Sequence, residues 1–234
     1  MEKIEVDPGN TFYSSLDGVL YNKDKTTLLK FPAQKEGVEI PESVTVIEEY
    51  AFYDCNRFTS IVIPDAVTTI KNGGFSYCSN LLSVTLGSGL NTIENYAFTG
   101  CKVLVEIYNL SGLELTKGSD ENGSVAYYAK VIHNSIDEKS ILAIIDGYTF
   151  VVPDDKAELL SYTGTDTNLK LPDTFEYNEQ TISTYTIGKS FRINDNIISI
   201  VIPDAVTEIG ERLFEESFNL FSVTIGKNIT QIGR

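Results

Sequence analysis

The side chains able to carry chemistry are few in kind: one histidine, His133, three cysteines at Cys55, Cys78 and Cys101, and 33 aspartates and glutamates. A lone histidine is a poor general base and a poor metal ligand, because both roles need a companion group. His133 is therefore expected to be an incidental strand residue. Three cysteines could ligate a metal or form a disulfide. Their spacing of 23 residues is the period of the whole chain, described below, and their odd number argues against a disulfide framework. Buried free thiols acting as small apolar residues are expected, with a disulfide between neighbouring repeats as the alternative. Two carboxylates could serve as a glycosidase pair, but these are scattered, as solvated surface charge is. Asn22-Lys23-Asp24-Lys25-Thr26 and Asp120-Glu121-Asn122 invite a calcium reading, yet neither has the ligand spacing of a known calcium loop. His-Glu-x-x-His, Gly-x-Ser-x-Gly and a phosphate-cradling glycine loop are absent from the sequence. The expectation is no catalytic residue, no metal and no cofactor: not an enzyme.

The elements that would hold such residues emerge from self-comparison. Ile40-Pro41-Glu42-Ser43-Val44-Thr45-Val46-Ile47, Ile63-Pro64-Asp65-Ala66-Val67-Thr68-Thr69-Ile70 and Ile202-Pro203-Asp204-Ala205-Val206-Thr207-Glu208-Ile209 are copies of one phrase. Apolar residues return as columns: Ile47, Ile70, Ile93, Ile209 and Ile232; Phe52, Phe75, Phe98, Phe191 and Phe214; and Cys55, Cys78, Cys101, then Ser217. Each unit closes on an alternating strand such as Ser60-Ile61-Val62-Ile63, which turns Ile61 and Ile63 inward and Ser60 and Val62 outward. A unit of 23 residues cannot bury its own apolar face, so stacked units must share a core of side-chain ladders.

The Ile-Pro-x-x-Val-x-x-Ile, Ala-Phe-x-x-Cys and Leu-x-Ser-Ile/Val pattern, best seen from Ile47 to Cys55 and from Ile93 to Cys101, resembles the BspA-type leucine-rich repeat. Val6-Asp7-Pro8-Gly9-Asn10 with Tyr13 and Asp17-Gly18-Val19-Leu20-Tyr21 resembles the family's hairpin variant. Tyr162-Thr163-Gly164 resembles the lead-in to a new array. The departures are Gly73-Gly74 before Phe75, Leu213 for Ala and Ser217 for Cys. The resemblance implies a mainly β repeat solenoid: a right-handed coil of about 23 residues with parallel β-sheet, interrupted here by a β-hairpin or meander insertion. It also implies a surface or secreted protein, since relatives occur mostly on oral and gut bacteria and some mucosal protozoa, several of them implicated in adhesion.

Along the chain, residues 1–116 are expected to form a first array with an N-terminal hairpin. Residues 117–165 should form a meander with strands at Tyr127 to His133, Ile141 to Ile145 and Tyr148 to Val152, and residues 166–234 a second array. One coil is lengthened, Pro172 to Phe191 spanning 19 positions where Pro41 to Phe52 spans 11. A short helical turn is expected in each Phe-to-Cys segment. Ile4 to Val6 reads as a strand with nothing before it and Thr224 to Arg234 as half a unit, so the chain is expected to be a fragment whose targeting signals and anchors lie outside it.

The formal charge of −15 repels phosphate backbones and anionic membranes, which excludes nucleic acid as an expected partner. No apolar run approaches the roughly 18 residues of a spanning helix, so membrane insertion is not expected within the chain. What remains is a surface. Most outward strand positions are small, but Glu106 and Tyr108, with Tyr127 and Tyr128 nearby, bring aromatic and polar groups together in the composition of a recognition hot spot. These four are the candidate ligand contacts. The leading expectation is a non-catalytic adhesion or binding module for a host or microbial protein or glycan; the alternative is a structural spacer within a larger surface protein.

Overall fold

The computed structural model describes residues 1–189, 191, 196–215 and 217–233. Two compact units, Met1–Ser140 and Ile141–Arg234, divide it. Strands dominate both, and among the described residues the only helix is two 3₁₀ turns, Asn122–Ser124 and Pro153–Asp155.

Unit 1 opens with three antiparallel strands, β1 (Tyr13–Leu16), β2 (Val19–Asn22) and β3 (Thr27–Lys30). The β1–β2 turn places Asp17 and Gly18 at φ 49° and 81°, the doubly left-handed geometry that matches strand twist. The short strands β4 (Val46–Ile47), β6 (Thr69–Ile70) and β8 (Thr92–Ile93) then extend this sheet in parallel. A second, wholly parallel sheet stacks β5 (Ser60–Ile63), β7 (Ser83–Leu86), β9 (Glu106–Asn109) and β10 (Val131–His133). The expected strand from Tyr127 to His133 is thus reduced to its last three residues. It joins the parallel ladder, and not a meander, because Val131 lies opposite Glu106 just as Glu106 lies opposite Ser83.

The ladders form the core. Phe31, Phe52, Phe75 and Phe98 stack at centroid separations of 4.9, 4.6 and 5.0 Å, and Ile47 and Ile70 are fully buried beside them. The cysteine column has a backbone role as well as a packing one. All three thiols are free and buried. Those of Cys78 and Cys101 each donate, at 3.1 Å, to the carbonyl of Phe52 and Phe75 in the preceding coil. Burial pushes the Cys55 thiol up to about 12, and contact with the Cys101 sulfur, then burial, raises the Cys78 thiol as well. Since the thiolate is the nucleophile, the folded chain should leave Cys55 and Cys78 unlabelled by iodoacetamide at pH 8 and release them together on unfolding. Labelling of Cys78 ahead of unfolding would contradict this packing.

The Phe-to-Cys segments are tight turns in place of the expected helical turn. Each is bracketed by left-handed residues, Tyr50 and Asp54, Gly73 and Tyr77, Tyr96 and Gly100, which stop a helix from propagating. Alternate amides bond locally, as Ala51 N–H to the Glu48 carbonyl at 3.1 Å. Those between reach the next coil, as Phe52 N–H to Gly74 at 2.7 Å and Asp54 N–H to Ser76 at 3.0 Å. Side chains add bridges one full period apart: Asp65 accepts from Ser88 N–H at 2.7 Å, Asp204 from Lys227 N–H at 2.9 Å, and Asn56 from Ser79 N–H.

Unit 2 repeats the plan. Antiparallel strands β11 (Leu142–Ile145), β12 (Tyr148–Val151) and β13 (Ala157–Tyr162) lead into a second parallel sheet of β14 (Asn168–Lys170), β18 (Ser199–Ile202) and β20 (Ser222–Ile225). The short strands β17 (Tyr185–Ile187), β19 (Val206–Ile209) and β21 (Gln231–Ile232) continue the sheet of β13 in parallel. The lengthened coil accommodates its extra residues as a hairpin, β15 (Phe175–Tyr177) with β16 (Gln180–Ile182), turning at left-handed Asn178 and Glu179. Phe191 is buried, whereas Phe214, expected in the same ladder, is 36% exposed. Ile225, in the last strand of its sheet, is 46% exposed where its equivalents Ile63 and Ile202 are buried.

Candidate functional site

Parallel register dictates the chemistry at the edge of the second sheet in unit 1. Ser83, Glu106 and Val131 align, as do Thr85, Tyr108 and His133, so Glu106, Tyr108 and His133 share the outward face. Tyr108 stacks on the His133 ring at 4.6 Å. His133 Nε2 faces Glu106 Oε1 at 3.1 Å and Nδ1 faces Glu138 Oε2 at 3.1 Å. The Ser140 hydroxyl donates to Glu106 Oε2 at 2.9 Å. A neutral imidazole donates from only one nitrogen. Two carboxylates facing both nitrogens are satisfied together only when the trio carries one further proton.

His133 is thus no incidental strand residue: it is buried and held between two carboxylates. Glu106 lies on the outward face as expected, yet only 1% of it is exposed, because the segment from Asn134 to Ser140 folds back over it. Glu138 fastens that segment by accepting from the amides of Asn134 at 2.8 Å and Ser135 at 3.1 Å. The Asn134 amide first, then the His133 ring, hold the Glu138 carboxyl below the usual carboxylate range. A depressed folded value means that this fastening is fully present above the ordinary carboxylate pKa and is lost as pH falls through the lower folded one. In an NMR titration, the Glu138 carboxyl carbon and the Asn134 amide should shift together, below the midpoint of an exposed glutamate. Separate midpoints would refute the clasp.

Tyr108 remains half-buried, its hydroxyl raised above the usual phenol range by burial first and by Glu106 second. Tyr127 and Tyr128 pack edge to face at 4.9 Å. No ring contact joins that pair to Tyr108 among the described residues. The structure therefore brings Glu106 and Tyr108 together with His133, which sequence reasoning set aside, and leaves the two later tyrosines as a separate pair. The Asn22 cluster is a turn in which the Asn22 side chain accepts from the amides of Thr26 and Thr27 at 2.9 and 3.0 Å. Among the described residues, no three His, Cys, Asp or Glu side chains are grouped to hold a metal ion, and no helix is long and apolar enough to cross a membrane.

The family model described as the BspA type leucine rich repeat region matches residues 33–151 and 167–234, in six copies. No curated protein matches. Among solved structures, the chain is similar to a leucine-rich repeat protein from Eubacterium ventriosum at 22% identity and TM-score 0.45, over 97% of this chain and 43% of that one. The pneumococcal vaccine antigen PcpA is similar at 17% identity and TM-score 0.44, over 99% and 38%. A leucine rich cell surface protein from Faecalibacterium prausnitzii is similar at 17% identity and TM-score 0.39, over 96% and 79%. The chain spans less than half the length of the first two.

Proposed function

We propose that this chain, which belongs to the BspA-type leucine-rich-repeat family, is a non-catalytic binding module of a secreted or surface-presented protein, recognising a host or microbial protein or glycan. One observation carries the reading. The lone histidine and two of the three thiols are used by the fold itself, His133 between Glu106 and Glu138 and the thiols of Cys78 and Cys101 on phenylalanine carbonyls, while tyrosine rings stand at the surface. Tyr108, Tyr127 and Tyr128 are the contacts we assign to the partner. Glu106 supports Tyr108 from beneath by holding the His133 ring against which it stacks.

The test is binding of the immobilised chain to matrix proteins, mucin glycans and whole microbial cells, beside Tyr108→Ala and Tyr127→Ala/Tyr128→Ala variants. Saturable binding weakened by either variant supports the assignment. A structural spacer is the second reading, favoured by the small outward row of Ser60, Val62, Ser83 and Thr85; silence across the panel would select it.

A further inference from the structure

A different surface of unit 1 carries a second, independent set of rings. Tyr50 meets Tyr53 at a centroid distance of 6.0 Å and 76°, and Tyr53 meets Tyr77 at 5.7 Å and 60°. The three are 47, 43 and 54% exposed, so none of them serves the core. Two sit where the backbone favours glycine: Tyr50 and Tyr77 have φ of 52° and 62°, and the equivalent positions one coil on are Gly73 and Gly100. A side chain in left-handed backbone is costly, and here only partial burial offsets it.

The glycines explain how the rings are held. A Cβ on Gly73 would collide with Tyr50 Cε1, and one on Gly100 would stand 2.9 Å from Tyr77 Cδ1. Each ring therefore lies on bare backbone of the next coil, fixed on one side and open on the other. Rigid, half-exposed tyrosines offer contact area at little entropic cost.

The surrounding charge selects the partner. Lys71 is paired with Glu48 at 2.7 Å, while Lys30 donates to the Tyr50 carbonyl at 2.7 Å, a bond that holds its ammonium in place and leaves its charge. Glu49 and Asp54, next to Tyr50 and Tyr53 in the sequence, are exposed; Asp54 accepts from the Asn56 side-chain amide at 2.7 Å. The rings meet edge to face, at 76° and 60°, and so do not form the flat platform a sugar ring would stack on. Half-exposed tyrosine faces beside carboxylates suit a planar cation, which stacks on a ring while its N–H fork meets a carboxylate.

We propose that Tyr50, Tyr53 and Tyr77, with Glu49 and Asp54, form a docking surface for an arginine-bearing basic segment of a partner protein. The whole chain is titrated at physiological ionic strength with labelled Gly-Arg, Gly-Lys and Gly-Glu repeat peptides and with neutral oligosaccharides. Saturable binding of the Gly-Arg peptide is expected, several-fold tighter than Gly-Lys. Tyr53→Ser/Tyr77→Gly should weaken it by about tenfold or more, although the variant keeps the net charge of −15 and places glycine in left-handed backbone. Matched melting curves establish that the variant folds, and Tyr108→Ala should leave this binding unchanged. Equal affinity for the two basic peptides, untouched by loss of the rings, would reduce the effect to long-range attraction and overturn the proposal. Ring-dependent binding of an oligosaccharide in place of the arginine peptide would overturn it too.

Discussion

Phe75→Ala should destabilise unit 1 by about 3–5 kcal/mol, read as a lowered urea midpoint with an unchanged slope. Phe75 is fully buried and stacks between Phe52 at 4.6 Å and Phe98 at 5.0 Å. Its removal forfeits contacts with two neighbouring coils at once. Collapse into the gap is opposed by the ribbon that carries it, because the Phe75 amide donates to Ala97 and Phe52 donates to Gly74, both at 2.7 Å. Phe218→Ala, at a ring 87% exposed, is the control and should be nearly silent. A loss at Phe75 below about 1 kcal/mol would mean that the ladder repacks freely, contrary to dense cores generally.

Glu106→Ala should be comparably severe, about 3–5 kcal/mol, because it leaves His133 buried without one of its two carboxylates. Glu106→Gln, which keeps an acceptor oxygen, should cost less. The informative measurement is the double-mutant cycle with His133→Ala. If the two residues act as a pair, the double variant loses clearly less stability than the two single losses combined. Additivity within about 0.5 kcal/mol would show that they act independently. The same cycle bears on binding, since any assay of Glu106→Ala alone confounds a lost contact with a loosened Tyr108.

The isoleucine, phenylalanine and cysteine columns were legible because each coil solves one packing problem with the same residue at the same place. Phe31 extends the phenylalanine stack but was not legible, since the segment between it and Phe52 sets their separation at 21 residues and not 23. Val131–His133 escaped notice as a ladder strand for the same reason: its coil lacks the Pro and Phe landmarks and runs two residues long. The surroundings of His133 depend on the lateral pairing of β9 with β10 and on a returning segment, neither of which a column reveals. A glutamate where other coils place serine was the one available signal. Tyr53 and Tyr77 stand 24 residues apart, one step out of column, so their contact is visible only in three dimensions.

The bridges from Asp65 to Ser88, Asn56 to Ser79 and Asp204 to Lys227 have a consequence for heredity. Each ties a side chain to an amide one full period later. A deletion or duplication of one whole period restores every such partnership at the new junction, whereas the loss of a few residues within a coil breaks them all along one seam. Genes for such chains should therefore change length by unequal crossing-over in whole repeats. Smaller insertions should survive where a hairpin can bulge from the stack, as Phe175–Tyr177 and Gln180–Ile182 do.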